Sequence, residues 1–275
     1  MPRIAYLGPQ GTFTEQAIRA LTADFDAELV PYDTVPLALA AVRAGDVMGA
    51  GVPVENSVEG SVPATLDALA TDDPLVAVAE TLLPIRFDVL VRRGTTAEKV
   101  TTVASHPIAL GQVREWLAEH LPDAEVLPSS STSAAAAAVD AGDVDAAISA
   151  PLARECYSSL EPLAADIADV ADAITRFLLV RRPGVLPEPT GADRTSIAAV
   201  IPDEVGALTL MLEELSLRGI NLSRIESRPI KDRFGEYRFF LDFDGHVADA
   251  RIGDAMASLH RRCSEVRFLG SYPKA

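Results

Sequence analysis

Apolar positions along this chain follow two rhythms. Up to about residue 181, short apolar runs alternate with alanine-rich stretches of helical spacing. The runs are "RIAYLG", "AELVPY", "GAGVPVEN", "LVAVAETLL", "FDVLVRR", "VTTVAS", "AEVLPS", "VDAAISA" and "TRFLLVRR". Such alternation predicts an α/β fold with a largely parallel sheet. Within it, "SAAAAAVDAGDVDAAI" reads as a strong helix former followed by a strand. The stretch "RRPGVLPEPTGADR" (Arg181 to Arg194), dense in proline and glycine, has no hydrophobic period and reads as a linker. Beyond it the rhythm changes. "TSIAAVIP" predicts a strand, and "GALTLMLEELSLRGI" a helix ending at Gly219. "LSRIESRPI" and "EYRFFLDFDG" pair around the turn residues "KDRFGE", "ARIGDAMASLHRRC" is helical, and "VRFLGSYP" closes the unit. The order βαββαβ is the ferredoxin-like, α+β plan. The expected domains are therefore residues 1–183 and 195–275, joined by 184–194.

Composition narrows the class. At 275 residues, 48% hydrophobic and 23% charged, the chain has the make-up of a globular protein with a substantial core. Its net charge of −16 argues against nucleic acid or an anionic membrane as partner, since both demand basic surfaces. "MPRIAYLGPQG" lacks the apolar core of a secretory signal, and no apolar run is long enough to span a bilayer, so a cytoplasmic location is expected. Cys156 and Cys263 have no metal-ligand spacing. Free thiols fit a reducing compartment, although two cysteines also allow one disulfide. The acidity poses a problem for any anionic ligand, which must find a locally positive pocket.

Three stretches share the form strand, small polar cluster, helix: "YLGPQGTFTEQA", "PVENSVEGSVPATL" and "PSSSTSAAAAAV". Helix N-termini there would offer unpaired N–H groups and partial positive charge to a ligand beyond the strand ends. Thr12 and Glu15 have capping-box spacing, and such hydroxyls also serve simply as caps. Glu55 and Asn56 sit together at a strand end, where capping does not require both. His106, in "ASHPIALGQ", either lines a pocket or is a structural histidine. Arg176 opens a buried apolar strand and needs a carboxylate, from a ligand or from the protein, for instance Asp172. No metal-binding cluster, phosphate loop or "GxSxG" elbow is present.

Taken together, "YLGPQGTFTEQA", "PVENSVEGSV", "ASHPIALGQ", "SAAAAAV" and "ITRFLLV" resemble prephenate dehydratase in order and spacing. "DEVGALTLML" followed by "INLSRIESRPIK" is similar to the phenylalanine-binding form of the ACT regulatory domain. Two places depart from the family's habit: Asp172 and Ala173 stand where an asparagine is common, and Ile108 where a glutamine is. The resemblance implies a two-lobed catalytic domain of the type II periplasmic-binding-protein kind around a cleft. It also implies a monofunctional lyase without cofactor or metal, making phenylpyruvate from prephenate in phenylalanine biosynthesis. Thr175 and Arg176 would be catalytic, the hydroxyl polarising the departing oxygen and the guanidinium clamping a carboxylate. Thr12, Glu55, Asn56, Ser57, Ser61 and Phe177 would bind substrate. Phenylalanine would act as feedback inhibitor between ACT domains. Gly206, Ala207 and Leu208 would face Asn221 and Leu222 of a neighbouring subunit, and Glu226, Ser227 and Arg228 would join them in binding the effector. A homotetramer, a dimer of dimers, follows from the same resemblance. Arogenate dehydratase and a non-catalytic two-lobed sensor remain the alternatives.

Overall fold

The chain builds two sheets connected by two crossings and then extends the larger sheet with its C-terminal residues. The structure, a computed structural model, describes residues 1–230 and 235–275. The first lobe begins with β1 (Arg3–Leu7), α1 (Phe13–Leu21), β2 (Glu28–Tyr32), α2 (Val35–Ala44) and β3 (Gly49–Asn56). It continues with β4 (Gly60–Ser61), α3 (Pro63–Ala70) and β5 (Val76–Pro84). The second lobe contains β6 (Asp88–Arg92), β7 (Thr102–Ser105), α4 (Pro107–Gly111), α5 (Arg114–His120) and β8 (Glu125–Pro128). It ends with α6 (Thr132–Ala141), β9 (Ala146–Ser149), α7 (Ala153–Cys156) and β10 (Leu160–Ala164). The chain then returns to the first lobe as β11 (Ile174–Arg181). The C-terminal unit comprises β12 (Asp193–Val200), α8 (Ala207–Ser216), β13 (Leu222–Pro229), β14 (Tyr237–Asp244), α9 (Ala250–Arg262) and β15 (Glu265–Pro273). Its βαββαβ order is the one the apolar rhythm predicts, with β12 starting two residues inside the expected linker. The expected turn "KDRFGE" lies mostly outside the described residues.

The two crossings hold one another. Ile85 N–H donates to Ala173 O at 2.7 Å, and Ile167 N–H to Phe87 O at 2.9 Å. Because β11 comes back across this junction, it runs antiparallel to both β3 and β5, while β1 lies parallel to β2 and β3. In the second lobe β7 is parallel to β8 and β9, but β6 pairs antiparallel with β9 and β10. The sheets are therefore mixed, which corrects the expectation of a largely parallel one. The apolar rhythm reports burial on both faces and carries no strand direction.

The larger sheet does not stop at the linker. Its order is β13-β14-β12-β15-β5-β11-β3-β1-β2, with β4 on β3. The joint is the single pair Gly270–Ala77 between β15 and β5. Gly270 has φ +139°, and a Cβ there would lie 2.3 Å from Ala77 O, so only glycine permits this approach. The core is continuous across the joint as well. Ala198, Phe240, Leu269 and Tyr272 pack in one cluster with Val54, Leu66, Leu69 and Leu178.

One polar staple in the second lobe has a measurable signature. Asp145 Oδ2, ahead of β9, accepts from Thr101 Oγ1 (2.7 Å) and N–H (3.0 Å) and from Thr102 N–H (3.0 Å) and Oγ1 (3.1 Å). These bonds, the Thr101 hydroxyl first, hold the Asp145 pKa below its ordinary 3.8. A depressed folded-state pKa stabilises the fold above the unfolded value, and this contribution vanishes as pH falls through the folded one. Asp145→Ala should therefore cost about 2 kcal/mol at pH 7 by urea unfolding. The gap to the parent protein should narrow below pH 3.8; a gap independent of pH down to acid unfolding contradicts the assignment.

Candidate active site

Between the lobes lies a cavity of about 300 Å³ that draws on both: Thr12, Asn56, Thr175 and Phe177 from the first, His106, Gln112 and Ser131 from the second. Its apolar wall is formed by Ile85, Phe177 and the pair Phe13–Phe87, whose rings meet edge to face at 5.5 Å. Successive side chains of a strand point to opposite faces, so on β11 Thr175 and Phe177 face the cleft and Arg176 cannot.

The hydroxyl of Thr175, a residue 7% exposed, is oriented by its neighbour. Asn56 Oδ1 accepts from Val58 N–H (2.8 Å) and Glu59 N–H (2.9 Å), which fixes the amide so that Nδ2 faces Thr175. Nδ2 then donates to Thr175 Oγ1 at 2.7 Å. With one lone pair occupied, the threonine proton is directed to another acceptor, and the cleft is open in front of it. Ser57, expected to bind substrate, instead braces this strand: its Oγ accepts from Ile174 N–H at 2.9 Å and its N–H donates to Ile174 O at 2.8 Å.

Two of the three polar clusters open into the cleft. Thr12 caps α1 by accepting from Glu15 N–H at 3.3 Å, and Ser131 caps α6 by accepting from Ala134 N–H at 2.9 Å. Both helices direct their N-terminal turns at the cavity. Glu15 reaches back to Gly11 N–H at 2.6 Å, a capping box displaced by one residue. From the remaining cluster Pro53 and Asn56 line the cavity. His106 lines it too, while its Nδ1 accepts from Ile108 N–H at 3.3 Å. Sequence reasoning passed over Gln112, which is 5% exposed, lines the cleft and has no partner for its Oε1. The signal was a polar residue within the quoted "ASHPIALGQ".

Arg176 requires a correction. Among the described residues lining the cleft there is no lysine or arginine. The Arg176 side chain lies across the sheet, 6% exposed, against the C-terminal unit. Its Nη2 donates to Asp242 at 2.7 Å, with Glu80 at 3.7 Å and Glu55 at 3.9 Å. Burial works against its charge, but Asp242, Tyr272 and Glu80 outweigh burial and raise the pKa above the ordinary value. The carboxylate it required comes from the protein, from distant residues and not from Asp172. Glu55 and Ser61 belong to the same contact: Glu55 pairs with Arg224 at 3.4 Å, and Ser61 Oγ donates to Glu226 at 2.8 Å.

The expected effector residues also divide. Gly206, Ala207 and Leu208 line a crevice with Pro202, Tyr237 and Phe239. Gly206 adopts φ 83° to start α8 without a side-chain cap. Asn221 and Leu222 follow the other end of α8, about 15 Å away by helical rise, where Asn221 Nδ2 donates to Asp244 at 3.0 Å. Within one chain the two segments do not meet. Glu226 and Arg228 turn to the first lobe, Arg228 holding Asp67 with two bonds of 2.8 and 3.1 Å. Ser227 is exposed on β13.

The family model for prephenate dehydratase matches residues 4–184. The chain belongs to the prephenate dehydratase family. As such it is a carbon–oxygen lyase. A prephenate dehydratase of Amycolatopsis methanolica is 60% identical over all of this chain and 90% of its own length. A crystal structure of the Arthrobacter aurescens prephenate dehydratase in complex with L-Phe superposes with a TM-score of 0.92 at 47% identity. That match covers 99% of this chain and 90% of the other. GqqA, described as a quorum-quenching acylase, shares the fold at TM-score 0.88 and 28% identity, over 99% of this chain and 98% of its own. The architecture alone therefore does not dictate the reaction, and the prephenate dehydratase assignment rests on the matched sequence. No helix among the described residues is long and apolar enough to cross a membrane, and both cysteines are free thiols.

Proposed function

We propose that the cleft binds prephenate and eliminates carbon dioxide and water from it together, giving phenylpyruvate for phenylalanine biosynthesis. The observation that carries this reading is the Thr175 hydroxyl, which accepts from Asn56 and is thereby left to donate into the cleft. The aromatic wall holds the ring. The N-terminal turns of α1 and α6 receive the carboxylates, which resolves the charge problem without any arginine. When the ring carboxylate leaves as carbon dioxide, its electron pair enters the ring and expels the hydroxyl on the opposite carbon. The reaction takes up one proton overall, and aromatisation drives it. Thr175 is a weak acid, so its contribution is a hydrogen bond to the departing oxygen that strengthens as charge develops there. Gln112 supplies a polar group to a second substrate atom.

The C-terminal unit is the ACT domain in this reading, a ferredoxin-like unit over residues 195–275 whose first strand, β12, begins two residues earlier. Phenylalanine would sit between Gly206–Leu208 of one protomer and Asn221 of another in a tetramer, separated from the cleft and inhibiting from there. The two ends of α8 that cannot meet within a chain support a site shared between chains. Turnover of prephenate and arogenate by the full chain, compared as kcat/KM, tests the substrate. Prephenate should be preferred by tenfold or more, and equal turnover of arogenate would reverse the assignment. Titration calorimetry with phenylalanine tests the effector. Asn221→Ala should abolish the heat and the inhibition together, and inhibition without loss of binding would place the effector elsewhere.

A further inference from the structure

Two paired strands repeat one arrangement on their two faces. Across β11 and β3, Thr175 pairs with Asn56 and Arg176 with Glu55. The first pair meets in the cleft. The second meets on the opposite face, where it joins two charges from the C-terminal unit. Arg176 binds Asp242 at 2.7 Å, Asp242 faces Arg224 at 3.8 Å, Arg224 faces Glu55 at 3.4 Å, and Glu55 faces Arg176 at 3.9 Å. The ring is closed, alternates in sign, and takes two members from each unit. Its C-terminal half is anchored: Ser196 Oγ donates to Asp242 at 2.6 Å and shares a 2.7 Å bond with Tyr272, and Arg224 donates to Ser61 at 2.7 Å.

We infer that this four-charge ring sets the position of the Thr175–Asn56 pair from the C-terminal unit, making Asp242 and Arg224 positioning residues for the reaction. Arg176 and Glu55 are the chain neighbours of the two cleft residues, so any displacement of the ring is carried to the cleft through one peptide unit on each strand. The ladder is also disrupted at that point, with a bulge between Arg176 and Phe177 against β3. A bulge interrupts regular pairing and bends the strand, leaving its local path to side-chain contacts. A misplacement of about 1 Å at a reacting group costs about a hundredfold in rate. An effector that moves the C-terminal unit would therefore act on kcat through the ring. This inference rests on the reading of Thr175 and of phenylalanine given above.

The test uses full-length Glu55→Gln, Arg224→Gln and Asp242→Asn, each confirmed as folded by circular dichroism and melting. Each should lower kcat by about tenfold or more while KM for prephenate stays within about twofold, and should weaken inhibition by phenylalanine. Glu55→Gln with Arg224→Gln should lose no more than the worse single variant, because both open the same ring. A ring that is only a staple would lower the melting temperature and leave kcat and phenylalanine response unchanged, which overturns the inference. Should Asp242→Asn fail to fold, Glu55→Gln, at a half-exposed carboxylate, and Arg224→Gln decide. Thr175→Ala runs alongside. Full turnover in that variant removes the reading of the cleft and the ring's role with it. An inactive Thr175→Ala beside ring variants of parental kcat and inhibition overturns the ring alone.

Discussion

Thr175→Ala should fold, still bind a substrate analogue, and lose about 10²–10⁴-fold in kcat. The hydroxyl it removes lies in the cleft, held at 2.7 Å by Asn56 and so left with a proton to donate. In the reaction proposed above, its contact to the substrate would gain strength only as the ring hydroxyl departs with its electron pair. Its loss falls on kcat and leaves KM nearly unchanged. The structural penalty is modest, since the mutation orphans one amide hydrogen of Asn56, worth about 1–3 kcal/mol at most. Thr175→Ser separates the two effects by restoring the hydroxyl without the methyl, and most of the turnover should return. Asn56→Ala should give a partial loss, because the hydroxyl survives but its orientation does not. A folded Thr175→Ala enzyme with parental kcat would end the assignment.

Arg176→Met should destabilise the protein by about 3–5 kcal/mol. The guanidinium is buried among Asp242, Glu80 and Glu55, and methionine fills much of its volume while leaving those carboxylates without their cation. Glu80 keeps Arg194 at 2.6 Å, but among the described residues Asp242 retains Arg224 at 3.8 Å and the Ser196 hydroxyl. Removing both partners at once should be milder, so Arg176→Met with Asp242→Leu should recover part of the loss in urea unfolding at constant m-value. Arg176→Lys should lie between, since a point charge cannot serve three carboxylates as a planar fork does. A stability change within about 1 kcal/mol for Arg176→Met, the range of an exposed pair, would mean the contact is not buried in solution.

The alternation of apolar runs before the linker and the βαββαβ rhythm after it were legible because each depends on local spacing. Helix starts at Thr12 and Ser131 were legible for the same reason: a cap bonds within three residues of itself. β10 was not, because "LEPLA" is short, carries a proline and lies at the edge of its sheet beside β6. The sequence also placed Thr175, Asn56 and Thr12 near one site by resemblance, and the structure brings those three to the cleft.

It could not separate Thr175 from Arg176. Both stand in one motif, and their adjacency says only that they face opposite ways. Which face is the cleft depends on β3 and β5 flanking β11 and on the C-terminal unit covering the other side. The same holds for Asn56 and Glu55, and for Glu226 and Arg228, whose partners Ser61 and Asp67 lie more than 160 residues away in the chain. The sequence by itself determined most of the elements and the caps, which rest on local geometry, and by resemblance it pointed to the Thr175 hydroxyl that the structure brings to the cleft. Only the tertiary structure decided that the arginine joins two units and lies outside the cleft lining. A buried charge takes whichever opposite charge the fold brings within a few ångströms, and no local rule in the sequence records that distance.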